Sequence, residues 1–292
     1  MTVSAAIPNT METGSSSVLP GTVLVQRHSA LVRVTHWLNV LCLTVLLLSG
    51  LQIFNAHPAL YWGQYGADSD HAAIEIGAVE GEGGLRGVTR IGGLSVPTTG
   101  VLGASAGPSG ELTARAFPAW LTLPSYQDLS AGRRWHFFFA WAFVLNGLAY
   151  LAYGIAAGHF RRDLLPSRDQ LTPGHLLHEI KEHARLRFPK GEEARRYNAL
   201  QKLAYLGVIV VLLPGMVATG LTMSPGFDTI APWLLDVFGG RQSARTIHFI
   251  CASLLVGFVI VHLAMVVLSG LWNNLRSMVT GRYAIRTGET HS

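Results

Sequence analysis

Charge is scarce in this 292-residue chain. Asp, Glu, Lys and Arg together make up 13% of it, where a soluble domain carries about a quarter. That deficit, beside 49% hydrophobic residues, excludes an ordinary water-soluble globule. Cysteine is scarcer still. Cys42 and Cys251 both sit inside apolar runs and read as small packing residues. They leave no means to build a disulfide framework, a cysteine zinc cluster or a covalent haem attachment motif. No flavin or nucleotide fingerprint occurs. The first 30 residues are rich in Ser, Thr and Pro and lack an apolar run, so no cleavable signal peptide is expected there. The first apolar helix is therefore expected to act as its own insertion signal.

The apolar residues are bunched into four stretches, at about 35–54, 135–157, 203–223 and 247–272. Each is long enough to cross a hydrocarbon core, which takes about 20 helical residues. The expected fold is thus an all-α membrane protein, a bundle of four transmembrane helices. Its divisions are a disordered cytoplasmic N-terminus over 1–30, a four-helix domain over 31–285 and a C-terminal tail over 286–292. The basic residues are unevenly spread. Arg161, Arg162, Arg168, Lys181, Arg185, Arg187, Lys190, Arg195, Arg196 and Lys202 all lie between spans two and three. Positive loops stay cytoplasmic, so this loop and both termini are expected inside. The net charge of +5 follows from that bias and calls for no nucleic acid.

The loop over 55–132 should then be external. It is Gly-rich and broken by Pro97, Pro108, Pro118 and Pro124. Its middle, about 75–110, reads as irregular structure or short strands with little core. Tyr61-Trp62 and the aromatics of 117–126 suit the membrane interface. On the inner side, 173–187 (PGHLLHEIKEHARLR) reads as a short amphipathic surface helix. Its His175, His178 and His183 read as a solvated face, with a peripheral metal or proton-handling role as the minor option.

Four histidines fall inside the spans: His36, His136, His248 and His262. Titratable groups in a membrane are costly and are functional candidates by default. His248 and His262 are 14 residues apart on one helix. At about 100° and 1.5 Å per residue, they share a face some 21 Å apart. That spacing suits two stacked cofactors, each needing a second ligand from another helix. His136, at the outer start of span two, should be level with His248; His36, near the inner start of span one, with His262. Pairs His136–His248 and His36–His262 would saturate two irons, which favours electron transfer over oxygen activation. The plain alternative is four hydrogen-bonded packing residues. A di-iron oxygenase site is disfavoured, because its ligands would cluster at one depth.

Arginine precedes three of these histidines by one turn: Arg33 before His36, Arg133 (beside Arg134) before His136, and Arg245 before His248. Each guanidinium suits a haem propionate, and simple snorkelling at a helix end is the alternative. Asn39, Asn273, Asn274 and Arg276 are candidate polar groups for a quinone at the inner side, or ordinary caps and anchors. Span three has no histidine; Pro214 with Gly215 and Gly220 predicts a kink.

The Arg33-Val-Thr-His36-Trp37 opening, the histidine heading span two and the pair 14 apart in the last span resemble the bacterial cytochrome b561 and nickel-iron hydrogenase cytochrome b family. That family includes membrane subunits of formate dehydrogenase and thiosulfate reductase. The segments over 129–141, 242–248 and 273–283 resemble a subgroup associated with periplasmic molybdopterin oxidoreductases. The resemblance implies two haems b, a quinone site and an external redox partner, in a multi-pass protein of the bacterial inner membrane. The function expected is an electron relay between the quinone pool and a periplasmic redox protein. The rivals are a stand-alone superoxide:quinone oxidoreductase, with Arg133-Arg134 drawing in the anion, and a membrane anchor with structural haems.

Overall fold

The computed structural model describes residues 22–66, 70–158, 160, 164–185 and 198–286. Four helical segments of 25, 28, 24 and 28 residues are long and apolar enough to span a membrane. The first two are α1 (Ala30–Phe54) and α2 (Leu129–Ala156). A short helix, α3 (Pro173–Ala184), precedes the third span. That span runs through α4 (Ala199–Leu206), a wide π turn over Gly207–Leu212 and α5 (Leu213–Thr222). Two short helices, α6 (Pro225–Asp228) and α7 (Trp233–Val237), lead into the fourth span, α8 (Arg241–Leu268), which α9 (Leu271–Thr280) follows.

The spans start four to six residues before their apolar runs; polar caps set the first three starts, and Gly240 at φ 108° turns the chain into the fourth. Ser29 Oγ accepts from the Val32 N–H at 3.4 Å, and the Asp128 carboxylate from the Ala131 N–H at 2.8 Å. Asn198 and Gln201 form a reciprocal capping box at the head of α4. The fourth span also ends earlier than its apolar run, at Leu268, since Gly270 turns the chain at φ 111° and α9 continues separately. The expected irregularity in span three is a π turn, directly before Pro214. Proline has no N–H to offer the preceding turn, so the hydrogen-bond ladder widens there.

The bundle buries small and polar side chains and turns large apolar ones outward. Cys42, Ser49, Gln52, Asn146, Thr219 and Thr222 are buried, while Phe138, Trp141, Leu145, Val210 and Ile260 are exposed. Lipid is as apolar as a leucine side chain, so close packing and hydrogen bonds, rather than hydrophobic burial, hold such helices together.

At one end of the bundle, strand β1 (Thr22–Gln26) pairs antiparallel with the C-terminal β8 (Arg282–Arg286). The boundary that gave 1–30 to a disordered tail is thus corrected: 22–26 is a strand and α1 begins at Ala30, while 1–21 and 287–292 lie outside the described residues. Both ends of the described chain leave the bundle on this side, the ribbon end. Of the ten basic residues between spans two and three, Arg161, Arg162, Arg187, Lys190, Arg195 and Arg196 lie outside the described residues.

At the other end, the long loop is more ordered than its composition suggests. Strands β2 (Ala59–Leu60), β3 (Ile74–Gly81), β4 (Gly84–Ile91) and β5 (Leu94–Pro97) form an antiparallel sheet in that order, beside a two-stranded sheet of β6 (Ala104–Ala106) and β7 (Leu112–Ala114). The middle, about 75–110, takes the short-strand alternative and gives the small core only Ile76. Leu60, Ile76 and Ala116 are buried with Phe54 of α1, and Phe249 of α8 stacks near Phe54 at 5.0 Å. Two glycines permit the crossing: a Cβ on Gly87 would lie 2.1 Å from the Leu102 carbonyl oxygen, and one on Gly103 2.1 Å from that of Gly77. Buried Arg115 braces the return segment, donating to the carbonyls of Phe117 (2.7 Å) and Ser125 (3.0 Å) and to the Thr122 hydroxyl (3.0 Å). Burial pushes its guanidinium below the usual arginine range, and Glu111 partly offsets this.

Candidate functional site

The four intramembrane histidines meet in two pairs. His136 and His248 have ring centroids 6.4 Å apart, as do His36 and His262. The first pair lies at the sheet end and the second at the ribbon end, His248 and His262 standing 14 positions apart on α8. A direct hydrogen bond would bring two imidazole centroids to about 5 Å. Two imidazoles on one metal ion, each with nitrogen about 2 Å away, have centroids roughly 6 Å apart. The observed spacing therefore fits an ion between each pair, and the donor set of two neutral imidazoles fits a haem iron.

The sheet-end pair has its ring orientation set by hydroxyls. Ser49, on α1, donates its proton to the Val45 carbonyl at 2.6 Å, and its oxygen lies 3.1 Å from His136 Nδ1. The serine proton is spent on its own helix, so Oγ accepts and His136 carries the proton on Nδ1. Nε2 then carries a free lone pair, as a metal ligand requires. Thr219, on α5, repeats the arrangement: it donates to the Gly215 carbonyl at 2.6 Å and accepts from His248 Nδ1 at 2.9 Å. Ser49 and Thr219 are each 0% exposed. The next residue is glycine in both cases, and a Cβ there would lie 3.4 Å (Gly50) or 3.5 Å (Gly220) from the imidazole Cε1.

The ribbon-end pair is held differently. Phe258, one turn before His262, stacks on it at 6.0 Å and 16°. Trp37, beside His36, donates its indole N–H to the Met278 carbonyl at 3.1 Å, tying α1 to α9. Below His36, Asn146 of α2 donates to the Thr35 carbonyl (2.9 Å) and to Asn39 Oδ1 (2.7 Å). His36 Nδ1 is buried with no hydrogen-bond partner.

The arginines divide. Arg33 donates to the Val279 carbonyl, and its Nε is buried without a partner. Arg133 lies 5.5 Å over the Phe137 ring, and it and Arg134 are exposed. Arg245 is committed elsewhere: it donates to the carbonyls of His57 and Ala59 and lies over the Phe54 ring. Those carbonyls engage two of its three nitrogens. The same stretch of loop is pinned by Ser243 Oγ accepting from Gly63 N–H at 2.7 Å and by Thr246 donating to the Tyr61 carbonyl at 2.6 Å. Tyr61 is therefore buried, while Trp62 and Trp120 stay exposed.

The inner polar candidates are structural. Asn273 binds both backbone groups of Ala284, and its side-chain oxygen also accepts from Arg276. Asn274 donates to Ser269 Oγ and the Val266 carbonyl. On α3, His175 pairs with Glu179 at 2.9 Å, and Glu179 also accepts from the Ala199 and Leu200 N–H groups. Among the described residues, no group of three or more His, Cys, Asp or Glu is placed to hold a metal ion.

Four helices carrying two separated histidine pairs agree with what sequence comparison finds, for residues 27–281 match the profile of prokaryotic cytochrome b561. The chain belongs to the prokaryotic cytochrome b561 family. It is accordingly a b561-type membrane haem protein of transmembrane electron transfer, with haem b as its cofactor, and a multi-pass protein of the bacterial inner membrane. This cytochrome is 29% identical over 248 residues to YedZ1 of Azospira oryzae, covering 82% of the present chain and 90% of the relative. That relative carries a provisional name as a protein-methionine-sulfoxide reductase subunit. No solved structure matches significantly.

Ser49, Gly50, Thr219 and Asn146 were not singled out from the sequence, and Gly220 only as part of the kink in span three. A signal existed: Ser49-Gly50 and Thr219-Gly220 are matching hydroxyl–glycine steps, each within an apolar run.

Proposed function

We propose that this cytochrome holds two haems b, one between His136 and His248 and one between His36 and His262, and relays electrons between membrane quinone and a periplasmic redox protein. The observation that carries the reading is the pair of equal 6.4 Å separations at opposite ends of the bundle. When bound, haem supplies one-electron chemistry, and two histidine ligands leave the iron no open position. The chain's own residues do the rest. Ser49 and Thr219 accept from Nδ1–H of His136 and His248 and leave each Nε2 free as a ligand, Phe258 and Trp37 flank the other pair, and the apolar spans exclude water. Arg33, with its unpartnered Nε at the ribbon end, is the arginine best placed for a propionate.

The basic segment between spans two and three supports a cytoplasmic ribbon end and a periplasmic sheet end. The exposed sheet-end surface then meets the partner, and the relative's name favours a reductase of methionine sulfoxide. That reaction consumes two electrons and two protons per sulfoxide, giving methionine and water. Quinol supplies both in equal number. The test is to add a ubiquinol or menaquinol analogue to the oxidised cytochrome in nanodiscs and follow the haem absorbance. Reduction by quinol supports the relay; absorbance unchanged by either quinol, yet reduced by dithionite, refutes it.

A further inference from the structure

The two histidine pairs have equal spacing but unequal surroundings, and the difference is in their hydrogen bonds. At the sheet end, each imidazole Nδ1–H has a fully buried hydroxyl as acceptor, His136 bonding Ser49 at 3.1 Å and His248 bonding Thr219 at 2.9 Å, with the Leu46 and Met216 carbonyls as further acceptors. Neither hydroxyl can turn its proton toward the ring, because each has spent it on the carbonyl four residues back, at 2.6 Å in both cases. At the ribbon end, His36 Nδ1 is buried without any acceptor.

The repetition is structural as well as chemical. Ser49-Gly50 lies on the span that packs against the helix of His136, and Thr219-Gly220 on the span that packs against the helix of His248. In each case the hydroxyl meets Nδ1 and the following glycine leaves room beside Cε1. Two independent helix pairs thus brace the two rings of one site in the same way, and the other site lacks the brace at His36.

An acceptor on Nδ1–H leaves more negative charge on Nε2 and makes the imidazole a stronger donor to a metal. A stronger donor favours the more highly charged ion, so the site becomes harder to reduce. We infer that Ser49 and Thr219 are positioning residues that lower the reduction potential of the His136–His248 haem relative to the same site without them. This rests on the ligation proposed above. The hydroxyls hold the rings by orientation and tune them by hydrogen bonding, and no bond is made or broken when one electron converts ferric to ferrous iron.

The experiment is an optical redox titration of the full-length cytochrome in nanodiscs, with low-spin EPR spectra of the oxidised form. Wild type is compared with Ser49→Ala, Thr219→Val, Ser49→Thr and Thr219→Ser. Ser49→Ala and Thr219→Val should each raise the ferrous-to-ferric ratio of one haem several-fold at fixed potential, at most about tenfold (59 mV for one electron). The affected haem should be the one lost on changing His136 or His248, with the other unmoved. The hydroxyl-keeping variants should titrate as wild type. If the alanine or valine variant loses that haem while its hydroxyl-keeping counterpart retains it, the positioning role also stands. Equal movement of both haems, movement of neither, or loss of the haem in both kinds of variant overturns it. A wild type with no haem at this pair would instead refute the ligation itself.

Discussion

Ser49 Oγ sits 3.1 Å from His136 Nδ1 while its own proton goes to the Val45 carbonyl. With the Ser49 proton so engaged, the tautomer that bonds its oxygen is the one carrying a proton on Nδ1. Its counterpart at Thr219 and His248 makes the sheet-end pair the more tightly specified of the two sites.

Space beside those rings gives the first prediction. A methyl on Gly220 would meet His248 Cε1 at 3.5 Å, ordinary contact distance. Gly220→Ala should therefore keep two haems per chain. Gly220→Val adds branched atoms that the fully packed ring cannot evade, and it should lose the sheet-end haem while keeping the other. Haem quantified per chain reads both outcomes, and a Gly220→Val protein with full haem content would contradict the packing.

Arg245 and Arg134 share a position near the head of a span but differ in consequence. Arg245→Met keeps the stem over Phe54 and removes the donors to the His57 and Ala59 carbonyls. The cost should be about 1.5–3 kcal/mol, seen as faster amide exchange over 57–64. Arg134→Ala, at an exposed site, should stay within about 0.5 kcal/mol of wild type.

Asn146 ties α2 to α1 at Thr35 and Asn39. Asn146→Leu should destabilise the bundle by about 0.6–1.7 kcal/mol, lowering the Tm in detergent. Thr35 is the residue before His36, so the absorbance of the ribbon-end haem should shift with it while the sheet-end haem holds. A sheet-end shift alone would mean that Asn146 acts elsewhere.

Arg115 is the brace of the extramembrane unit. Arg115→Met leaves the carbonyls of Phe117 and Ser125 without their donor, at about 1–3 kcal/mol for each buried group left unpaired. Limited proteolysis should then cut within 112–127 first. Cleavage no faster than in wild type would show that water replaces the guanidinium.

Much of the bundle was legible in the sequence because lipid imposes simple requirements: apolar runs of fixed length, and titratable groups only where they serve. The four histidines stood out on those terms, and α8 alone fixed the spacing of the two sites. Ser49 and Thr219 did not, since a lone hydroxyl in an apolar helix commonly bonds the carbonyl four residues back. Its second role depends on which neighbouring helix faces it. The sheet was obscured by its own glycines, which dilute strand propensity yet are needed where Gly87 and Gly103 cross other backbone. Arg245 shows the same limit: its turn spacing to His248 was legible, but its bonds to the His57 and Ala59 carbonyls depend on how the loop folds back.

The most direct test is a dithionite-reduced minus oxidised absorption spectrum of the purified protein, with haem counted per chain in wild type and in alanine variants of His36, His136, His248 and His262. The expected result is two haems b in wild type, one lost on changing His136 or His248 and the other on changing His36 or His262. A single haem, a spectrum without haem, or losses that pair the histidines differently would contradict the two-site arrangement.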